Sequence, residues 1–165
     1  MKTMMIAASA AVLALAAPAL AQAETTWYGT LGYANVDIDP INLGAIQGRF
    51  GGQFSPYFAV EGEASVGVSD GSVGPLTFDL NNEIALFAVG KMPVSENVNL
   101  LARVGYGSSE IKLTGFGSER FDGVAYGVGV EGFFTDKDGL RLDWTRHDID
   151  GADADVWALA YVRKF

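Results

Sequence analysis

Cysteine is absent from the 165-residue chain, which excludes a disulfide framework, a thiolate metal centre and a cysteine nucleophile. Basic residues are few. The 11 Lys+Arg stand against 20 Asp+Glu, and a net charge of −9 is the wrong sign for a surface built on nucleic-acid phosphates. Histidine occurs once, at His147. No phosphate loop and no zinc-ligand spacing is present, so no cofactor is expected. Beyond residue 23 nothing approaches the roughly 18 uncharged apolar residues of a helical membrane span. What is plentiful is apolar and small: 49% hydrophobic residues, 21 Gly, 10 Phe, 6 Tyr and 3 Trp. Such a composition excludes disorder and favours strands and tight turns over a helical bundle, in one domain.

Residues 1–23 carry a processing signal. Lys2 is a positive start, Met4–Ala17 an apolar stretch, and Pro18 breaks it before the small-residue sites Ala19-Leu20-Ala21 and Ala21-Gln22-Ala23. That is a secretory pattern, too short before its proline to stay as a helical span. Cleavage after Ala23 leaves residues 24–165 as the mature domain. Export without cysteine suits a bacterial envelope protein.

The mature chain is written in a period of two. Val60, Gly62, Ala64, Val66 and Val68 oppose Glu61, Glu63, Ser65 and Gly67; Val124, Tyr126, Val128 and Val130 oppose Ala125, Gly127, Gly129 and Glu131. Leu140, Leu142 and Trp144 oppose Arg141, Asp143 and Thr145, and Val98, Leu100, Ala102, Val104 and Tyr106 oppose Asn99, Arg103 and Gly105. Ile46, Phe50 and Phe54 oppose Gln47, Arg49 and Gln53. Strict alternation marks strands with one apolar and one polar side. Leu80–Met92 and Thr26–Ile38 also read as strands, but their facing stays open. Breaks fall at 37–42, 55–56, 69–79, 93–97, 108–120, 135–139 and 148–154, short turns alternating with longer loops. The expected fold is therefore all-β: an eight-stranded antiparallel up-and-down transmembrane β-barrel. Strands of about 10–11 residues tilted by ~40° span an apolar band of roughly 25 Å.

Period alone does not say whether the apolar face looks inward, as in a soluble lipocalin-like ligand-binding barrel, or outward to lipid. Aromatics beside the short turns, Phe54, Tyr57, Phe58, Phe133 and Phe134, read as a periplasmic girdle, and the polar face is crowded with Gly and Ala as a narrow interior requires. The ending Trp157-Ala-Leu159-Ala-Tyr161-Val-Arg-Lys-Phe165 resembles the C-terminal signal read by the barrel-assembly machinery, with Arg163 where an apolar residue is commoner. The segments Tyr28-Gly-Thr-Leu-Gly-Tyr33-Ala-Asn-Val-Asp37 and Gly48-Arg-Phe-Gly-Gly-Gln-Phe-Ser-Pro-Tyr57-Phe-Ala-Val-Glu-Gly-Glu63 are similar to the opacity-protein and OmpA/OmpX-like outer-membrane barrels. The resemblance implies residence in the bacterial outer membrane among lipid and lipopolysaccharide. It also implies a structural, envelope-integrity or surface-interaction role.

Facing inward, Arg49, Arg103 and Arg141 would meet Glu61, Glu63, Glu83, Glu131 and Asp143, a set expected to pair as a salt-bridged plug that fixes strand register. The alternative is a narrow porin-like channel for small solutes, gated by an arginine exchanging carboxylates. His147 at a strand end, beside Asp148 on the opposite face, reads as packing or rim, and no enzymatic activity is expected. Asp148, Asp150, Asp153 and Asp155 make an acidic loop that echoes a divalent-ion site without its calcium-loop glycine spacing. The exported protein is expected to begin at Glu24. Intact mass of the purified mature chain checks this, and a chain that keeps Lys2 would identify a retained anchor instead.

Overall fold

In lipid every backbone N–H and C=O must be paired within the protein, and a sheet meets that demand only by closing on itself. The computed structural model describes residues 25–165 apart from 39–40, 70, 74–75, 114–116 and 150–151, so the signal at 1–23 and Asp150 lie outside the described residues. The strands are β1 Thr26–Ile38, β2 Ile41–Ser55, β3 Phe58–Ser69, β4 Gly71–Val73, β5 Leu76–Pro93, β6 Val98–Leu113, β7 Gly117–Phe133, β8 Asp138–Ile149 and β9 Ala152–Lys164. Each pairs antiparallel with its neighbour in the sheet, β3 skips β4 to pair with β5, and β9 returns to β1. All strands but β4 thus form a closed eight-stranded antiparallel barrel. Short turns at 56–57, 94–97 and 134–137 share one end with both termini, where the Phe165 amide donates to the Trp27 carbonyl at 2.9 Å.

The strands outrun the expected lengths, and the breaks at 69–79 and 108–120 are corrected. β5, β6 and β7 span 18, 16 and 17 residues, and pairing continues to Val73↔Leu76 and Leu113↔Gly117. Gly and Ser there suggested open loop, but β4, β5, β6 and β7 stay paired side by side, and a sheet of more than two strands holds a ladder that a lone hairpin would not.

Alternation sorts the side chains. Leu86, Val104, Tyr106, Val128 and Leu159 are exposed on the outer wall, while their strand neighbours Phe87, Arg103, Ala125 and Ala158 are buried inside. The two strands left open are settled. In β1, Trp27, Leu31 and Tyr33 face out while Tyr28, Thr30, Ala34 and Val36 face in; in β5, Ile84, Leu86 and Met92 face out while Glu83, Phe87, Val89 and Lys91 face in. One girdle residue is corrected. Tyr57 and Phe134 are exposed at the turn end and Phe54 and Phe58 half-buried, but Phe133 is buried inside the barrel, its ring 3.6 Å beneath Lys164 Nζ. Phe133 shares the parity of the inward residues Ala125 and Glu131 of β7, which places it inside. Trp27 stacks on Phe50 with ring centroids 5.4 Å apart beside this band.

An outer wall facing hydrocarbon predicts a depth-dependent response to charge. Val128→Arg, in mid-strand, is expected to destabilise the barrel by about 2–4 kcal/mol, whereas Val94→Arg in a turn is expected to cost about 0–1 kcal/mol. Urea unfolding in lipid vesicles measures both, and equal effects would mean that Val128 faces water.

Candidate functional site

The inward positions of β2, β3, β6 and β8 bring the expected charges together at the middle of the barrel. Arg49 donates from Nε to Glu63 at 2.6 Å and places both terminal nitrogens on Asp143 at 2.8 Å. Arg141 reaches Glu61 at 2.6 and 3.3 Å and Asp143 at 3.2 Å. Arg103 donates to Glu63 at 2.6 Å and to Asp143 at 3.3 Å, its guanidinium lying 3.6 Å over the Phe87 ring. Three guanidiniums therefore meet three carboxylates in one buried lattice. Charge-assisted, multiply bonded pairs of this kind are the strong ones, and desolvation leaves each group dependent on its partners.

The remaining two expected carboxylates sit apart from that lattice. Glu131 accepts from Lys91 Nζ at 2.9 Å and Asn99 Nδ2 at 3.1 Å toward the turn end. Glu83 lies toward the loop end, its Oε1 3.4 Å from His147 Nδ1 but without a hydrogen bond. Sequence reading missed four participants: Tyr28, whose hydroxyl donates to Glu61 at 2.6 Å; Gln47, which accepts from Arg49 at 2.6 Å; Lys91; and the inward, buried His147. His147 is packed in the interior with Asp148 exposed on the opposite face, and the carboxylate that faces it is Glu83. Lys91 was findable, since it shares the parity of Glu83. Tyr28 was not, because aromatics occupy both parities of β1.

Glycine makes room for this arrangement. A Cβ on Gly51 would stand 2.6 Å from the Tyr28 ring and 3.0 Å from Glu61 Cγ, so any larger residue would push the tyrosine off its carboxylate.

Three of the four loop carboxylates are described, Asp150 lying outside the described residues. Asp155 is held by Arg146 at 2.8 and 3.1 Å and by the Trp144 indole at 3.1 Å, while exposed Asp148 and Asp153 are register partners. A carboxylate already neutralised by a guanidinium is a poor ligand, and among the described residues the loop carboxylates form no ligand cluster. Arg163 likewise pairs with Asp138, which also accepts from the Tyr161 hydroxyl. The C-terminal residues Trp157, Leu159, Tyr161 and Phe165 all lie on the outer wall.

A closed antiparallel barrel, apolar outside and charged inside, is the architecture of a transmembrane β-barrel. Residues 7–165 match the sequence model of the outer membrane protein beta-barrel domain, and the chain belongs to that family. The protein is therefore one of the bacterial outer membrane. The fold is similar to that of Ail, the attachment invasion locus protein of Yersinia pestis, solved with the heparin analogue sucrose octasulfate. That similarity has a TM-score of 0.66 and 19% identity over 87% of this chain and 100% of that one. It is also similar to the N-terminal barrel of Pseudomonas aeruginosa OprF (TM-score 0.63, 10% identity, covering 84% and 97%). Neisserial surface protein A shows the same fold (TM-score 0.58, 15% identity, covering 86% and 97%). No curated protein sequence matches.

If the lattice is a coupled unit, breaking one member strands the others. Arg141→Met is expected to cost about 3–5 kcal/mol, and adding Glu61→Gln to recover part of that loss. Urea unfolding of the two single variants and the double variant in vesicles gives the coupling; strictly additive losses would show that the pair does not act together.

Proposed function

We propose that this protein is a structural barrel of the outer membrane whose lumen is closed by its charge lattice and conducts no solute. The observation that carries this reading is the convergence of Arg49, Arg103 and Arg141 on Asp143, all four buried. Side chains that bridge β2, β6 and β8 across an eight-stranded interior occupy the space a water column would need. Lys91 with Glu131 adds a second tie nearer the turn end. The membrane supplies lipid and lipopolysaccharide as its surroundings, with the barrel-assembly machinery as a partner during insertion and Trp157, Leu159, Tyr161 and Phe165 as the segment that machinery reads. The signal at 1–23 provides export. No catalytic role is assigned, because the buried lattice pairs its acids with permanent cations.

A surface-interaction role stays within this reading, with one restriction from charge. The Ail structure holds a heparin analogue, but this chain carries 20 acidic against 11 basic residues and exposes Asp148 and Asp153 near its loop end. Like charge repels a sulfated polyanion.

The channel alternative has one observation in its favour. Arg103 is the least firmly held of the three arginines: its Nε has no partner, its bond to Asp143 is 3.3 Å, and it shares Glu63 Oε2 with Arg49. A gate in this lattice would therefore move Arg103 first. Planar-bilayer recording is expected to show no steady conductance for the wild-type barrel and the appearance of current in Arg103→Ala. Open-channel current in the wild-type protein would overturn the closed reading, and silence in both would remove Arg103 as a gate.

A further inference from the structure

We propose that Glu63, Glu83 and His147 form a lumenal binding site for one divalent transition-metal ion of the zinc class. The three residues are buried, come from β3, β5 and β8, and offer ligand atoms that all lie within 4.8 Å of one another. Metal–ligand bonds of about 2.1 Å in a tetrahedral site place neighbouring donors roughly 3.4 Å apart. The separation of Glu83 Oε1 and His147 Nδ1 is 3.4 Å, close enough for joint ligation and not aligned as a hydrogen bond.

Unpartnered polar atoms are the second and independent observation. Glu83 is 5% exposed, and among the described residues its Oε1 has no hydrogen-bond donor. Two more buried oxygens without partners lie nearby in the register. Ser65 Oγ is on the residue facing Glu83 across the β3–β5 pair, and Thr145 Oγ1 is two residues before His147 on the same inward face. A buried polar atom left unpaired loses its hydration without compensation, so three in one neighbourhood call for a ligand.

Charge leads to the same place. Among the described residues, the interior carboxylates Glu61, Glu63, Glu131 and Asp143 each lie at salt-bridge distance from a lysine or arginine. Glu83 is the one without a lysine or arginine at salt-bridge distance. Arg49 and Arg103 both bond Glu63 through Oε2, so the other oxygen is not used by the arginines. A mixed carboxylate–imidazole set suits zinc-class ions better than calcium or magnesium, which take oxygen ligands. A bound ion would tie β3, β5 and β8 together on the loop side of the arginine lattice.

The refolded mature barrel in detergent micelles, titrated with Co²⁺ and then Zn²⁺, tests this. A one-site visible Co²⁺ absorption that Zn²⁺ abolishes is expected. Affinity should fall about tenfold or more in Glu83→Gln, His147→Ala and His147→Gln, and stay unchanged in Asp153→Asn. The heat-dependent gel shift of each variant reports that its barrel is closed. A folded wild-type barrel with no Co²⁺ spectrum would overturn the proposal and leave a proton as the only occupant between Glu83 and His147. Binding that survives both His147 variants would overturn it equally, by placing the ion elsewhere.

Discussion

Asp143 is the point on which the interior turns. One carboxylate on β8 takes two bonds from Arg49, one from Arg103 and one from Arg141, and so draws β2 and β6 toward β8 across the barrel. Three guanidiniums around one carboxylate would repel one another; Glu61 and Glu63 on β3 restore neutrality by taking Arg141 and the Arg49–Arg103 pair. Much of the neighbouring sequence follows from the bulk of these side chains. Gly51 is small where Tyr28 must reach Glu61, and Gly105 is small where a Cβ would stand 2.6 Å from the Phe87 ring that carries Arg103. A narrow barrel accommodates large charged residues on some strands only by thinning the others.

The outer wall was legible because lipid imposes a single rule. In β3, and over Leu140–Trp144 of β8, every second residue is apolar, and the inward set then follows by parity, which brought eight charged residues to the interior from sequence alone. The interior obeys no such rule. Its positions accept Glu83, Phe87, Val89 and Lys91 in a single strand, since size and partner decide there rather than polarity. That is why β5 and β1 resisted assignment and why Phe133 was placed on the wrong side. Partners separated by tens of residues, such as Arg49 with Asp143, depend on how far the barrel rotates each strand past the next, which no single strand records. The long extensions of β5, β6 and β7 were hidden for another reason: their Gly and Ser read as turn residues, and the pairing that keeps them extended is not written in any one strand.

The two halves of the interior differ in kind. Toward the turn end, Tyr28, Lys91, Asn99, Glu131 and Phe133 interlock, with Lys91 Nζ 4.3 Å over the Tyr28 ring. Toward the loop end, small apolar residues of β1, β2 and β9 (Ala34, Ala45, Ala154, Ala158) form one wall, facing an interior that also holds Ser65, Glu83, Thr145 and His147. The first half is built like a stopper, with large side chains tied to one another. The second combines small walls with polar atoms that lack partners, an arrangement suited to receiving something rather than to sealing.

The barrel fold is kept at identities of only 10–19%. A shared transmembrane barrel fold reflects what lipid enforces, which is alternation and closure. Neither requires a particular residue at a particular interior position, so fold similarity is silent about Arg103, Glu83 or His147. Whatever individual chemistry this protein has must lie where lipid does not dictate the residue, in the interior and at the loop end. The buried positions that depart most from simple packing needs are the charged and histidine residues of β3, β5, β6 and β8. Their pairing pattern, complete around Asp143 and incomplete around Glu83, distinguishes groups that hold the barrel together from a group left available for a ligand.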